Sequence, residues 1–358
     1  MGKEIDQLRK DIDAIDDELL ELIRKRCELS VEIGRVKAED GLSSFDPSRE
    51  EAIVGRLVSR AGPTLTRPMI EAVFSRIFSL SRSLQEKKRV AYLGPEGSYS
   101  HEAARRVFPL DADLAPRPDI GSVITEVLTG RADLGVVPVE NSTEGMVNLT
   151  LDLMSSSKLF VCAEVMLPIR NCLLSLGTLE QVETVYSHPQ ALAQCRNWLL
   201  ENLGRARTVE TPSTSTAARA ARSEPHSAAI ASALAAELYG LSIIAPAIND
   251  CQENITRFWV VSRTMAPVGG KAKTSIIVSL KNTPGALHRA VGVFAGKGIN
   301  LTKIESRPSR KNPWEYVFFI DFEGSLHEAG VREALSELQS HAQEIITLGS
   351  YPEGRTLD

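Results

Sequence analysis

Residues 5–36 read IDQLRKDIDAIDDELLELIRKRCELSVEIGRV, and this pattern sets the architecture of the N-terminal part of the chain. Positions 5, 8, 12, 15, 19, 22, 26, 29, 33 and 36 form a seam that steps by three and four, and nine of the ten are Ile, Leu or Val. The spacing predicts one helix of about 50 Å, too long to bury its seam without a partner helix. Two shorter helices are predicted after the Asp46-Pro47 break, one from Ser48 and one over Arg67–Lys87. We therefore expect an incomplete bundle that a second chain completes, in a homodimer or homotetramer.

Arg26 lies at the one seam position that is not aliphatic. A buried guanidinium is costly unless it meets an anion, which would be a glutamate of another helix or an anionic ligand. Further polar residues flank this seam or share a face of the shorter helices: Arg9, Lys37, Arg49, Glu50, Ser81 and Gln85. Cations and donors that converge inside a bundle suit a small dicarboxylate.

The string LRKDIDAIDDELLELIRKRCELSVEIGRVK resembles the all-helical chorismate mutase domain over nearly its whole length. In that family two subunits build each active site, so the resemblance implies that Arg9 is donated by the partner chain. It assigns the carboxylates to Arg9, Arg26, Arg49 and Ser81, the ether oxygen to Lys37 and Gln85, and the substrate hydroxyl to Asp46 and Glu50. Chorismate rearranges by a concerted shift, so preorganised donors are expected to be sufficient.

After the charged residues 86–89 the pattern changes to short β-rich runs that alternate with helices. Strands are predicted at Val90–Gly94, Leu134–Val139, Leu159–Leu167, Thr184–Tyr186 and Phe258–Ser262. Helices are predicted at His101–Phe108, Ile120–Thr129, Pro189–Asn202 and Ser227–Tyr239. The alternation predicts an α/β domain, residues 89–264, with two lobes around a cleft.

Polar strings follow several of these strands, at the ends where open α/β sheets bind ligands. GPEGSYS at 94–100 is a glycine-rich turn into a helix, which suits a phosphate or carboxylate or is simply a tight turn. PVENST at 138–143 and SHPQ at 187–190 are the others that follow a strand, whereas TRF at 256–258 precedes the predicted strand FWVVS. Neither a Gly-x-Gly-x-x-Gly fingerprint nor a P-loop is present, so no nucleotide-binding fold is indicated.

These strings, extended as GPEGSYSHEAA, PVENSTEG, YSHPQALAQC and TRF, resemble prephenate dehydratase in order and spacing. The resemblance implies a two-lobed, periplasmic-binding-protein-like fold. It also implies a cleft lined by Ser98, Tyr99, Glu140, Asn141, Ser142, Ser187, Gln194, Thr256, Arg257 and Phe258. Prephenate loses CO2 and its ring hydroxyl together, and the resemblance nominates Thr256 as the catalytic group for the hydroxyl.

The proton source for that step stays open. A threonine is a poor acid in water and acts only as an aligned donor or relay in a dry cleft. Glu140 is the alternative if burial raises its pKa, or else it braces a turn. We expect His188, in a His-Pro turn, to be structural.

A Pro- and Gly-containing linker at 264–273 precedes a segment, 274–351, whose pattern predicts the order β-α-β-β-α-β of a ferredoxin-like α+β unit. NTPGAL at 282–287 and IESRP at 304–308 resemble the phenylalanine-binding strings of an ACT domain. The resemblance implies L-phenylalanine as an effector, bound by Gly285, Ala286, Leu287, Glu305, Ser306, Arg307 and Pro308. A dimerisation unit without ligand is the alternative.

The length, net charge and hydrophobic pattern of the chain limit its possible functions. A chain of 358 residues suits three domains, at 1–88, 89–264 and 274–351. A net charge of −5 provides no field for nucleic acid, and no apolar run is long enough for a membrane span. The N-terminus lacks a signal peptide, so we expect a cytoplasmic location, and the five cysteines form no metal or disulfide pattern.

The sequence thus predicts a bifunctional enzyme that converts chorismate to prephenate and prephenate to phenylpyruvate, without metal or cofactor, under phenylalanine feedback. Two other hypotheses remain open. One is a small-molecule sensor whose helical segment serves only for dimerisation, although Arg26 in the seam argues against it. The other is a dehydratase whose mutase domain has lost activity.

Overall fold

The computed structural model describes residues 2–39, 45–85, 87–110, 112–265, 268, 271–308 and 316–356. The chain forms two compact units, the first from residues 1–88 and 108–113, the second from residues 89–107 and 114–358. The predicted division between residues 264 and 274 therefore falls inside the second unit.

The described helices and strands follow one another from an all-helical segment into mixed α/β structure. The helices are α1 (Gly2–Glu39), α2 (Pro47–Val58), α3 (Arg67–Ser83), α4 (Tyr99–Val107), α5 (Ile120–Leu128), α6 (Asn148–Ser156), α7 (Pro189–Gln194), α8 (Arg196–Leu203), α9 (Thr214–Ser223), α10 (Ala233–Tyr239), α11 (Ala286–Gly296) and α12 (Ala329–His341). The strands are β1 (Lys88–Leu93), β2 (Ala112–Arg117), β3 (Leu134–Asn141), β4 (Gly145–Met146), β5 (Phe160–Pro168), β6 (Cys172–Ser175), β7 (Thr184–Ser187), β8 (Arg207–Glu210), β9 (Ser227–Ala231), β10 (Ser242–Ala245), β11 (Ile255–Ser262), β12 (Ala272–Leu280), β13 (Leu301–Pro308), β14 (Tyr316–Glu323), β15 (Ala342–Pro352) and β16 (Arg355–Thr356).

In the first unit α1 is a 38-residue helix, about 57 Å long, and α2 and α3 are its shorter companions. The helices pack where Val54, Ile70 and Phe78 are buried. By contrast, all nine aliphatic residues of the seam are exposed in the single chain, from 48% at Ile5 to 61% at Leu22. A seam of this length exposed to water is what a partner helix would cover.

Two sheets build the α/β part of the second unit. The first has the strand order β16-β5-β11-β3-β1-β2, with β4 attached to β3. In it β3 runs parallel to β1 and antiparallel to β11. The second has the order β10-β6-β9-β7-β8, and its middle strands β7 and β9 are parallel. The predicted two-lobed α/β fold is confirmed.

One predicted helix, Ser227–Tyr239, is wrong in its first half. Ser227–Ala231 is strand β9, fully buried between β6 and β7, and Ser232 then caps α10. The sequence SAAIA has the alanines of a good helix former, but burial on both sides of a central strand overrides that local preference.

The C-terminal segment is the predicted ferredoxin-like unit, with an antiparallel sheet of order β13-β14-β12-β15. One face of this sheet packs on α11 and α12 through a core that includes Ile276, Phe294 and Phe322. The other face contributes Ile277 and Tyr351 to the core of the first α/β sheet. The two domains of the second unit therefore share a hydrophobic core.

The contact between these two sheets is close enough to require glycine. At Gly349 in β15 the φ angle is +142°, and a Cβ atom there would lie 2.4 Å from the carbonyl oxygen of Val161 in β5. Beyond β15 the chain continues into β16, which pairs with β5 in parallel. In the described part of the chain, none of the helices combines the length and apolar character that crossing a bilayer would need.

Candidate active sites

In the helical unit, Arg26 of α1 reaches α3. Its guanidinium hydrogen-bonds the hydroxyl of Ser81, lies 3.5 Å from the Ile77 carbonyl oxygen and covers the Phe78 ring at 5.4 Å from the centroid. Burial lowers the pKa of Arg26. The structure thus brings together two of the predicted mutase residues, one from each helix, around a partly desolvated cation.

Two more predicted residues lie in the same unit. Glu50 of α2 forms an ion pair with Arg82 of α3, a residue whose side chain is 7% exposed. The side-chain oxygen of Gln85 is buried and has no hydrogen-bond partner among the described residues. Gly34 allows this approach, because a Cβ atom there would lie 2.9 Å from Gln85 Cγ. A buried amide oxygen without a partner is suited to a ligand.

The remaining predicted mutase residues lie farther out. Asp46 caps α2 by accepting from the backbone N–H of Arg49 at 3.0 Å, while the Arg49 side chain is exposed. Lys37 is half-buried near the end of α1. Arg9 is 74% exposed and lies 3.6 Å from Asp6. Seventeen residues separate Arg9 from Arg26, which is about 26 Å along the helix, so Arg9 cannot join the Arg26 cluster of its own chain.

The second unit contains a cleft of about 860 Å³. Six of the ten residues predicted for this site line it: Ser98, Tyr99, Asn141, Gln194, Thr256 and Phe258. The other lining residues include Arg117, Asn171, His188, Ser213 and Asn254.

Thr256 lies on the cleft face of β11, opposite Asn141 of β3. The Asn141 amide donates to the Thr256 hydroxyl oxygen at 2.8 Å and to the Asn254 side-chain oxygen at 2.8 Å. Its own oxygen accepts from the hydroxyl and backbone N–H of Thr143. Because the threonine oxygen already accepts a hydrogen bond, its own proton is available for a ligand in the cleft.

A second chain of hydrogen bonds begins at Asn254, the other acceptor of the Asn141 amide. Gln194 accepts from the amides of Asn254 and Asn171, at 3.1 and 3.4 Å. Asn171 in turn accepts from the Tyr99 hydroxyl at 2.6 Å, and burial raises the Tyr99 pKa well above its usual value, so Tyr99 remains a donor. Asn171 and Asn254 were not predicted, since each stands outside the quoted strings. The sequence feature that could have identified them is their position: Asn171 lies between β5 and β6, and Asn254 directly precedes β11.

The glycine-rich turn builds one wall of the cleft. Gly97 has a φ of +80°, and its N–H donates to His101 Nδ1 at 3.0 Å. Ser98 donates to the Leu93 carbonyl and accepts from the His101 N–H in the first turn of α4. Ser98 at the N-terminus of α4 and Ser213 at the N-terminus of α9 both line the cleft, and helix N-termini favour an anionic ligand.

Arg117 adds a cation to this cleft, although Glu126 holds it at 2.9 Å. His188 also lines the cleft, and its Nδ1 accepts from the Gln190 N–H at 3.3 Å, a helix-capping role.

Four predicted residues lie outside the cleft lining. Ser142 donates to the Glu253 carbonyl, and Ser187 is fully buried and donates to the Ile230 carbonyl. Arg257 and Glu140 lie on the opposite face of the sheet, towards the ferredoxin-like domain. Arg257, only 5% exposed, is paired there with Glu164 and Asp321.

The predicted effector residues divide between two faces of β13. Ser306 and Pro308 are exposed, and their cross-strand neighbours belong to the face that carries α11. Glu305 and Arg307 point the other way, and Arg307 lies 3.6 Å from Asp152 of α6. At the start of α11, Gly285 has a φ of +77°, followed by Ala286 and the exposed Leu287.

Comparison with known proteins identifies the three segments. Family models match chorismate mutase type II at residues 8–86, prephenate dehydratase at 90–266 and the ACT domain at 274–339. A bifunctional chorismate mutase/prephenate dehydratase of Aquifex aeolicus (strain VF5) is 43% identical over 355 residues, 98% of each chain.

Solved structures agree on the second unit. The prephenate dehydratase of Arthrobacter aurescens in complex with L-Phe has a TM-score of 0.69 at 34% identity, covering 74% of this chain and 90% of that one. GqqA, described as a novel type of quorum quenching acylase, has a TM-score of 0.69 at 33% identity, covering 74% of this chain and 98% of that one.

Fold, cleft and family models together define an enzyme that joins a helical mutase domain, a two-lobed dehydratase domain and an ACT domain in one chain. More particularly, the chain belongs to the family of bifunctional chorismate mutase/prephenate dehydratases. The resemblances drawn from the sequence are thereby confirmed.

Proposed function

We propose that the chain converts chorismate to prephenate in its helical unit and prephenate to phenylpyruvate in the cleft, with L-phenylalanine as a feedback inhibitor. The observation that carries the dehydratase assignment is the Thr256 hydroxyl, which faces the cleft while Asn141 donates to its oxygen. The relative that matches across all three domains favours this pair of reactions over the acylase activity named for one structural relative.

For the mutase reaction, Arg26 and Ser81 would hold a carboxylate, and the Gln85 side chain would donate from its Nε2 amide to the ether oxygen. The rearrangement needs no proton transfer, so a fixed cation and donors supply the stabilisation of the breaking C–O bond. Lys37 would complete the donor pair, while Arg49 would supply a carboxylate contact. Glu50 would serve the substrate hydroxyl while paired with Arg82, and Asp46 would support it from the helix cap.

Arg9 would enter this site from a partner chain, because its own chain keeps it about 26 Å from Arg26 along α1. The exposed seam of α1 supports such a pairing of helices. We propose a homodimer as the smallest active assembly, with a homotetramer as the larger possibility.

For the dehydratase reaction, the ring carboxylate leaves as CO2. The electron pair of the broken C–C bond moves into the ring as the hydroxyl departs. The hydroxyl departs as water if it gains a proton, which gives phenylpyruvate with atoms in balance. Thr256 would donate a hydrogen bond to that hydroxyl, and the Asn141 amide would strengthen it, because hydrogen bonds in a chain polarise one another. The N-termini of α4 and α9 would hold the carboxylates.

The geometry favours Thr256 over Glu140 as the group at the leaving hydroxyl. Glu140 faces the ACT domain and is paired with Lys303, so it would have to turn through the sheet to reach the cleft. Gln194 and Tyr99 would position the substrate, and Phe258 would keep the cleft wall apolar.

For regulation, L-phenylalanine would bind the ACT domain at Gly285–Leu287 and at the exposed face of β13. The Arthrobacter relative was solved in complex with L-Phe, which supports this ligand class. The enzyme would work in the cytoplasm and need no metal or organic cofactor.

The test is direct. Purified full-length protein is incubated with chorismate, and both prephenate and phenylpyruvate are followed with and without phenylalanine. Accumulation of prephenate alone would contradict the dehydratase assignment, no consumption of chorismate would contradict the mutase assignment, and rates unchanged by phenylalanine would contradict feedback.

A further inference from the structure

A cluster of charges lies buried between the dehydratase sheet and the ACT sheet. Arg257 of β11 is 2.7 Å from Asp321 of the ACT domain and 2.7 Å from Glu164 of β5. Glu164 also accepts from Lys273 at 2.9 Å. Lys303 of β13 forms an ion pair with Glu140 of β3. Such a cluster is stabilising only when every charge keeps its partner, so its geometry is tightly determined.

Two members of the cluster, Arg257 and Glu140, belong to the same strand pair as the cleft residues. In the register of β3 and β11, Asn141 is paired with Thr256, and the next pair is Glu140 with Arg257. Successive side chains of a strand point to opposite faces. One pair therefore faces the substrate while the adjacent pair faces the ACT domain, and a register shift follows directly after Arg257.

We propose that Lys303 of the ACT domain is a positioning residue for the dehydratase reaction. Through Glu140 it fixes the strand pair that carries Asn141 and Thr256. This inference rests on the proposed dehydratase activity and adds to it a residue from a domain that contributes none of the described residues lining the cleft.

Loss of Lys303 would displace the strand that carries Asn141. Without Lys303, the cation that remains within 4 Å of Glu140 among the described residues is Arg257, at 3.8 Å and already held by two other carboxylates. A half-buried carboxylate then turns towards water and draws β3 with it. A misplacement of about 1 Å at reacting groups costs on the order of 100-fold in rate.

The experiment compares Lys303→Met with a matched control in the full-length protein. Lys297→Met removes the same kind of side chain from the same domain, where Lys297 pairs with Glu333 at the surface, 2.9 Å away. Lys303→Arg restores the charge. The steady-state parameters for prephenate are measured for each, with chorismate mutase activity of the same sample as the internal reference.

We expect Lys303→Met to lower kcat by about 10- to 100-fold while KM changes much less, because substrate contacts remain and only their alignment is lost. Lys303→Arg should recover most of the rate, and Lys297→Met should match the unaltered protein. A kcat for Lys303→Met that stays within about two-fold of the unaltered value would overturn the proposal.

Hydrogen–deuterium exchange supplies a readout that needs no turnover. Peptides covering residues 138–146 and 253–260 should exchange faster in Lys303→Met, while the peptide over 227–231 in the other sheet should not change. Unchanged exchange at the first two, or faster exchange throughout the second unit, would reject a positioning role. If the unaltered protein fails to turn over prephenate, the proposed function is refuted and the exchange data alone decide this inference.

Discussion

The side-chain amide of Asn141 lies 2.8 Å from the hydroxyl oxygen of Thr256, across the two strands that form the floor of the cleft. The same amide nitrogen also donates to Asn254, so both of its protons are used and the threonine oxygen must act as acceptor. This arrangement orients the threonine O–H towards the cleft. The Thr256 hydroxyl is a weak acid, but in this orientation it can act as an aligned hydrogen-bond donor.

Thr256→Val should lower the kcat of the dehydratase by about 10²- to 10⁴-fold, because valine keeps the shape and removes the donor. Thr256→Ser retains the hydroxyl and should retain most of the rate. Phenylpyruvate formation from supplied prephenate measures the effect. Mutase activity of the same samples should not change, and equal loss of both activities would contradict separate sites.

Subunit mixing tests the shared mutase site. Arg9→Ala and Arg26→Ala should each abolish prephenate formation, since each removes a guanidinium that the substrate carboxylates need. When the two variants exchange subunits, a mixed dimer contains one site with neither change. The mixture should recover about a quarter of the unaltered activity, and recovery is measured as the rate of chorismate loss.

The control for that experiment is the dehydratase rate, which both changes should leave intact. No recovery on mixing, in samples proven to have exchanged subunits, would show that Arg9 does not act across the interface. Full activity of Arg9→Ala alone would remove this residue from the site.

The polar strings indicated which stretches of the chain build the cleft, but they did not indicate on which face of its strand each side chain lies. Asn141 ends β3 and Thr256 lies at the start of the antiparallel strand β11, so the structure places both at one end of the sheet, in the cleft. Arg257 and Glu140 were expected beside them, yet alternation forbids neighbours in one strand from sharing a face. Which of the two faces the cleft depends on what packs behind the sheet, and here that is the ACT domain.

Ser306→Ala should weaken inhibition by phenylalanine while leaving the basal dehydratase rate unchanged, because the side chain is exposed on the face of β13 away from the cleft. The concentration of phenylalanine that halves the rate should rise by about tenfold for one lost hydrogen bond. Ser340→Ala, an exposed serine of α12, is the matched control. An unchanged inhibition curve for Ser306→Ala would place the effector elsewhere.

His101 should make the second unit less stable in mild acid. Burial lowers its pKa, although Glu96 opposes this, and Arg105 acts in the same direction as burial. A histidine with a lowered pKa contributes stability that is complete above about pH 6.5 and is lost as the pH falls, because the unfolded chain binds the proton more readily.

Urea unfolding followed by the fluorescence of the three tryptophans, all of which belong to the second unit, measures this effect from pH 7.5 to 5. His101→Phe keeps the ring that stacks on Tyr92 and removes the titrating nitrogen. The variant should be less stable at pH 7.5, since the Gly97 N–H loses its acceptor, but it should lose less stability on acidification. Parallel curves for the two proteins would exclude His101 as the titrating group.

Gly349→Ala tests whether the ACT sheet must approach β5 this closely. The added Cβ would meet the Val161 carbonyl oxygen at 2.4 Å, and a φ of +142° is unfavourable for alanine in any case. The nearest atoms all belong to the Val161 backbone, so no side chain can move aside, and either the sheets separate or the strand bends. We expect a loss of about 1–3 kcal/mol in the free energy of unfolding of the second unit, measured by urea titration.

Gly292→Ala in α11 is the matched control: its Cβ would have no neighbour within 4 Å, and alanine should add about 0.5–1 kcal/mol in a helix. If Gly349→Ala proved as stable as the unaltered protein, the two sheets could not be in such contact, and the charge cluster between them would lose its rigid setting.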